Sequence, residues 1–216
     1  MADIRALVLN CTLKRSPAPS SAEVLGREVL DALAEQGVAG DLVRVVDHDV
    51  RFGVSVDEGD GDGWPAIRSM LMAARILVVA TPIWLGQPSA VCKMVLERLD
   101  AELSETDAEG RLLTYGKIGS VAVVGNEDGA HHTIGQVQQA LNEVGFTCPA
   151  AGATYWVGEA LHKVDYVDAR PKPDTTGRTT EALAVNSAHL ARVLAERPYP
   201  PPDSHAASVG PSREPS

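Results

Sequence analysis

Five short apolar runs alternate along the chain with longer segments in which apolar residues recur every three to four positions. The runs lie within residues 6–9, 41–46, 76–80, 118–124 and 146–155. Continuous apolar runs are typical of strands that are covered on both faces, and the intervening periodicity is typical of the covering helices. The pattern therefore predicts an α/β fold built from five strand–helix units.

The order of the strands follows from the right-handed crossovers that such units make. We predict a flavodoxin-like three-layer sandwich, with a five-stranded parallel sheet in the order 2-1-3-4-5 and helices on both faces. A Rossmann dinucleotide fold would need G-x-G-x-x-G after the first strand. Residues 10–21 contain no glycine, which argues against it.

The predicted domain spans residues 1–196 and ends with a helix over 179–196. Six of the remaining twenty residues, 197–216, are proline. Such a composition is typical of a flexible segment, and a tail is predicted there.

The charge and the composition of the chain limit the kinds of binding partner that we expect. The formal net charge is -10 and the pI is about 5.0, which disfavours nucleic acid and anionic membrane surfaces. No segment approaches the roughly 18 apolar residues of a membrane span. Residues 1–5 lead directly into a strand without a signal peptide, so a cytoplasmic location is predicted. The three cysteines form no CxxC pair, and we expect no metal site.

The first loop, after strand one, carries hydroxyl and ammonium groups just before a helix. Thr12, Lys14, Ser20 and Ser21 stand there. Hydroxyl donors at the positive end of a helix favour a phosphate site, and the absence of a Gly-Lys-Ser/Thr ending favours a monophosphate. The alternative is that Ser20 only caps the helix, in a capping box with Glu23, while the cations face water.

Two further loops follow strands three and four. Residues 80–89 contain Trp84, which offers a flat face, and residues 125–132 contain two glycines that permit close backbone approach. The alternative for Trp84 is core packing in an ordinary connection. The carboxyl ends of strands one, three and four are neighbours in the predicted sheet, so the three loops form one pocket. A phosphate at one end and a planar ring at the other match the shape of FMN.

Residues 7–14, 81–89, 125–132 and 153–156 resemble the NADPH-dependent FMN reductase group of the flavodoxin-like superfamily. The resemblance implies that Thr12, Lys14, Ser20 and Ser21 hold the FMN phosphate. It implies that the ribityl chain and the isoalloxazine ring are lined by Pro82, Ile83, Trp84, Leu85 and Gly86, and the other ring edge by Asn126, Glu127, Asp128, Gly129 and His131. One departure is that Ser21-Ala22 stands where family members often have Asn-Thr.

The resemblance implies an FMN-dependent oxidoreductase, active as a homodimer or homotetramer. It would take hydride from NAD(P)H and pass electrons to a small acceptor such as a quinone or a flavin. The cofactor carries this chemistry, so no catalytic acid or base is named. The alternative is a flavodoxin-type electron carrier, although carriers typically place an aromatic in both ring loops and residues 125–132 contain none. A non-flavin binding module on the same fold is a third class.

The acidic segment 48–63 has no cysteine, so we expect no iron–sulfur cluster there. Its Asp/Gly repeat resembles a calcium loop. However, Ser69 stands where the bidentate glutamate would be needed. A solvated loop that caps the next helix is therefore predicted.

Overall fold

The computed structural model describes residues 4–160 and 162–202. Within them, the strands are β1 (Arg5–Asn10), β2 (Ala39–Arg44), β3 (Ile76–Trp84), β4 (Gln87–Pro88), β5 (Ile118–Gly125) and β6 (Ala153–Val157). The helices are α1 (Ser21–Glu35), α2 (Trp64–Ala73), α3 (Ala90–Leu99), α4 (Ala130–Glu143) and α5 (Asp174–Glu196).

The main sheet is parallel and has the order β2-β1-β3-β5-β6. This confirms the predicted flavodoxin-like order, with β4 as an addition outside it. Successive side chains of a strand point to opposite faces, so Val8 packs towards α1 and α5 while Leu9 packs towards α2, α3 and α4. Both faces are covered, which explains the continuous apolar runs.

The third strand is longer than predicted. It does not end at Ala80 but continues to Trp84, where it turns and pairs antiparallel with β4, with Trp84 opposite Gln87. The turn residues Leu85 and Gly86 both have positive φ, 52° and 73°. Positive φ at both central residues is the geometry that suits a two-residue hairpin. The second loop is therefore a hairpin that projects from the carboxyl edge of the sheet.

The acidic segment 48–63 is mostly exposed, as predicted for a solvated loop, and it is anchored by one buried ion pair that was not predicted. Asp62 and Arg98 lie 2.8 Å apart, and neither side chain is exposed. Arg98 also donates to the carbonyls of Arg51 and Ser55, at 3.0 and 2.8 Å. Asp62 accepts the amide of the first residue of α2 at 3.1 Å, so the predicted helix-capping contact is present.

The start of the predicted tail packs against the opposite edge of the sheet. The Tyr199 ring meets the Tyr115 ring edge-on at 5.7 Å, and its hydroxyl lies 3.0 Å from Thr147 Oγ1. Residues 203–216, most of that tail, lie outside the described part of the chain. Among the helices of that part, none has the length and apolar content to cross a membrane.

Candidate functional site

A pocket opens at the carboxyl edge of the sheet, where the three predicted loops meet. It is partly open to solvent, and its cavity volume is about 170 Å³. The lining consists of Thr12, Leu13, Lys14, Ser20, Ser21, Ala22, Pro82, Ile83, Trp84, Val124, Gly125, Asn126, Glu127, Trp156, Asp165 and Tyr166. The loops after β1, β3 and β5 all contribute, as expected for neighbouring parallel strands.

Nine of the fourteen predicted site residues line this pocket. They are Thr12, Lys14, Ser20, Ser21, Pro82, Ile83, Trp84, Asn126 and Glu127. The other five predicted residues lie on the second and third loops but do not line the pocket. They are Leu85, Gly86, Asp128, Gly129 and His131. The roles of all fourteen in flavin binding stay predictions.

The first loop presents three hydroxyl groups whose protons have no acceptor within residues 4–160 and 162–202. Thr12 Oγ1 accepts the amide of Lys14 at 3.4 Å, and Ser20 Oγ caps α1 by accepting the amide of Glu23 at 3.2 Å. Ser21 Oγ accepts the amide of Val167 at 3.1 Å. A hydroxyl keeps its own proton when it accepts, so all three can still donate to an anion. Capping and phosphate binding by Ser20 are therefore compatible.

Arg44, at the end of β2, holds the first loop in place, and the sequence analysis did not identify it. This buried guanidinium donates to the carbonyls of Lys14 and Ala18, at 3.1 and 2.9 Å. It also pairs with the carboxylate of Glu23 through Nε, at 3.1 Å. Only half of the predicted capping box forms, because this carboxylate faces Arg44 and Arg27 instead of the helix cap.

Two carboxylates beside the first loop, those of Glu23 and Asp47, accept hydrogen bonds that favour their ionised form. Burial raises the pKa of Glu23, but the hydrogen bonds from Arg44 and Arg27 outweigh it and lower that pKa. Two hydrogen bonds from Ser16 lower the pKa of Asp47, which lies beside the loop. Lys14 remains as an exposed cation at the pocket wall.

The second loop is joined to the third loop and to the start of the first loop. Ser89 Oγ donates to the carbonyl of Cys11 at 2.6 Å and caps α3, so the hairpin base is tied to the start of the first loop. At the tip, the Gly86 and Gly129 backbones touch, and a Cβ on Gly129 would lie 2.7 Å from Gly86 Cα. Glu127 Oε1 accepts the Leu85 amide at 2.9 Å. These contacts keep the pocket walls at a defined separation.

Seven of the sixteen lining residues are not among the fourteen predicted. Four of them, Leu13, Ala22, Val124 and Gly125, are neighbours of predicted residues in the sequence. Of the other three, Trp156 lies in β6, and Asp165 and Tyr166 belong to residues 162–173, which we name the strap. The strap has no helical or strand periodicity, so its sequence offered no signal for the site. Trp84 is 53% exposed, whereas Trp156 and Tyr166 are buried. Trp84 therefore stands at the rim, which excludes the core-packing alternative for it.

The donor set and shape of the pocket fit FMN. Three free hydroxyl protons, a lysine and the start of α1 lie together at one end, as a monophosphate requires. Apolar and aromatic walls from Ile83, Trp84 and Trp156 lie nearby, as a planar ring requires.

Comparison with known proteins supports this assignment. The family model of NADPH-dependent FMN reductases matches residues 4–161. The chain belongs to this family. Membership confirms the resemblance and supports FMN as the cofactor, with NAD(P)H as the co-substrate.

Two curated relatives match most of the chain. It is 32% identical to 8-demethyl-8-aminoriboflavin-5'-phosphate synthase of Streptomyces davaonensis, over 91% of this chain and 80% of that protein. It is 38% identical to the divalent metal cation transporter MntH of Mycobacterium bovis over 88% of this chain. The chain spans only 29% of the length of that second relative.

Two solved structures bear on the fold. The crystal structure of RosB with bound 8-demethyl-8-formylriboflavin-5'-phosphate has a TM-score of 0.85 at 32% identity, over 94% of this chain and 84% of RosB. An apo structure of the NADH:FMN oxidoreductase EmoB has a TM-score of 0.60 at 13% identity, over 88% of this chain and 89% of EmoB. At that identity the second likeness shows the fold alone.

Replacing Trp84 by alanine should weaken FMN binding about tenfold, because the aromatic contact and its buried area are lost. The unfolding free energy should fall by less than about 1 kcal/mol, since the side chain is half-exposed. Fluorescence titration with FMN and urea unfolding measure the two effects. Phe52→Ala, which removes an aromatic side chain that is 79% exposed and lies outside the pocket, is the control. A large loss of stability with unchanged FMN affinity would contradict the rim position.

Proposed function

We propose that the protein is an FMN-dependent oxidoreductase that takes hydride from NAD(P)H and passes electrons to a small acceptor such as a quinone or a flavin. The observation that carries the proposal is one pocket that combines hydroxyl and ammonium donors for a phosphate with a half-exposed Trp84 at its rim. FMN, when bound, supplies the hydride and electron transfer.

The residues of the chain bind and orient the cofactor in this proposal. Thr12, Ser20, Ser21 and Lys14 hold the phosphate, and Arg44 keeps their loop in shape. Ile83 and Trp84 position the ring, while the hairpin tip is open to water, since Leu85 is 91% exposed. This opening supports access for a second planar substrate. The cytoplasmic location and the homodimer or homotetramer stay predictions.

The test begins with the absorption spectrum of the purified protein. The protein should be yellow and should release FMN on denaturation. Steady-state oxidation of NADPH or NADH with a quinone acceptor should then show turnover. A colourless protein that fails to bind added FMN would overturn the proposal. A flavin that is reduced only by a partner reductase would favour the electron carrier.

A second candidate is an enzyme that takes FMN as its substrate. Two likenesses favour it. The chain is 32% identical to an 8-demethyl-8-aminoriboflavin-5'-phosphate synthase. It also matches, with a TM-score of 0.85, the structure of RosB with bound 8-demethyl-8-formylriboflavin-5'-phosphate. Mass spectrometry of the flavin recovered after long incubation, with an amine donor and oxygen present, separates the two. Unchanged FMN supports the reductase, and a flavin altered at its 8-substituent supports the second candidate.

A further inference from the structure

Leu85, in the turn between β3 and β4, is an unusual residue for its position. Its φ is 52°, and its side chain is 91% exposed. Two-residue hairpin turns with positive φ favour asparagine, aspartate or glycine, because larger side chains are strained in that region. The exposed side chain also buries almost no apolar surface. A leucine therefore adds strain and no burial here, and local rules are broken in this way mostly at functional sites.

The turn is held in one position beside the pocket. Glu127, which lines the pocket, accepts the Leu85 amide at 2.9 Å. On the other side of the turn, Gln87 Nε2 lies 3.0 Å from His132 Nε2, and Gln87 Oε1 accepts from Gln136 Nε2 at 2.7 Å. These contacts tie the hairpin to the third loop and to α4. The Leu85 side chain is therefore kept in water next to the pocket lining.

Two further apolar side chains are exposed at the same pocket. Leu13, on the first loop, and Trp84, next to Leu85, both line it, and each is about half exposed. Exposed apolar side chains that gather at a pocket are typical of a ligand-binding surface. We name Leu13, Trp84 and Leu85 the apolar mouth. A second substrate that enters the pocket can cover this surface with an apolar group of its own.

We propose that Leu85 and Leu13 make the apolar mouth selective for electron acceptors that carry an apolar side chain, such as alkyl-substituted quinones. The inference rests on the proposed function and names the acceptor class of the same site. Overall, the quinone gains two electrons and two protons and leaves as the hydroquinone. The hydride of NAD(P)H supplies both electrons and one proton, and solvent supplies the other proton. The two leucines take no part in this transfer and act by removing the alkyl chain of the acceptor from water.

The test is the steady-state reduction of benzoquinones that carry one unbranched alkyl chain of zero to six carbons. The FMN-loaded protein is used at saturating NAD(P)H. For the wild type, kcat/KM should rise about twofold with each added methylene. Complete burial of a methylene would give about fourfold, and the open mouth covers the chain only in part.

Leu85→Asn should at least halve this dependence on chain length, while kcat/KM for unsubstituted benzoquinone stays within about twofold of the wild type. Because asparagine suits a positive φ, the urea midpoint of this variant should equal or exceed that of the wild type. Leu13→Asn makes the same change on the first loop and should also weaken the dependence. Val54→Asn makes it at an exposed position outside the lining and should leave the dependence unchanged.

Equal kcat/KM of the wild type for all these quinones would overturn the inference while leaving the proposed function intact. An unchanged dependence in either leucine variant would do the same. Sedimentation velocity tests whether Leu85 serves a subunit contact instead: a smaller assembly for Leu85→Asn than for the wild type would overturn the inference. A protein that shows no turnover with any quinone or flavin acceptor would overturn the proposed function as well.

Discussion

Replacing Arg98 by methionine should lower the free energy of unfolding by about 3–5 kcal/mol. The substitution leaves the Asp62 carboxylate buried without its cation, and it removes two hydrogen bonds to carbonyls of segment 48–63. Urea unfolding at neutral pH measures the loss. Arg5→Met is the control: Arg5 pairs with Asp41 on the surface, where both side chains are about half exposed. Its loss should be below about 1 kcal/mol.

The pH dependence of the wild type gives an independent check on this ion pair. Burial alone raises the pKa of Asp62, but three backbone amides and Arg98 outweigh it and lower the pKa from 3.8 to about 2. A lowered folded-state pKa stabilises the protein above pH 3.8, and this contribution, about 2 kcal/mol, is lost as the pH falls towards 2. Asp62→Asn should lose less stability than the wild type over that interval. An Arg98→Met variant as stable as Arg5→Met would contradict the buried-pair account.

Replacing Arg44 by methionine should weaken FMN binding at least about tenfold and lower the unfolding free energy by about 2–4 kcal/mol. Two carbonyls of the first loop lose their donor, and Glu23 loses its buried partner. The first loop would then become ordered only when FMN binds, and this ordering would reduce the FMN affinity. Flavin fluorescence titration and urea unfolding without flavin measure the two effects.

Two variants separate geometry from charge at this position. Arg44→Lys keeps the charge but lacks the planar fork, so it should recover only part of the FMN affinity. Arg27→Met removes an exposed arginine partner of Glu23 and should change the unfolding free energy by less than about 1 kcal/mol. Unchanged FMN affinity in Arg44→Met would show that the first loop keeps its shape without this residue.

Most of the fold could be predicted from the order of apolar runs and helical stripes. The errors fall where local signals conflict with the tertiary structure. β3 was expected to end at Ala80, yet it continues to Trp84 and turns at Leu85 and Gly86. Leu85 has a positive φ there, which a leucine rarely adopts, so the sequence did not indicate this turn. α5 was expected to begin near Thr179, yet it begins at Asp174 and includes Gly177, a residue typical of helix ends.

The site, too, was predicted where local sequence signals exist and was missed where they do not. The three loops could be located because each follows a strand and carries hydroxyls, a tryptophan or glycines. Arg44 at the site and Arg98 at segment 48–63 could not be assigned, because each lies inside a predicted element where an arginine is usually a surface residue. Their roles come from acceptors far along the chain: Arg44 reaches the Lys14 carbonyl across 30 positions.

By itself, the sequence determined the sheet order and the edge of the sheet at which the candidate site lies. These follow from periodicity and from the rule that carboxyl ends of parallel strands share one edge. Only the tertiary structure decided which groups hold the site and the separate segment 48–63 in place. Arg44, Arg98 and Tyr166 act through contacts between distant positions, such as that of Tyr166 with Glu28, 138 residues apart. Such pairings depend on proximity in space, which no local spacing encodes.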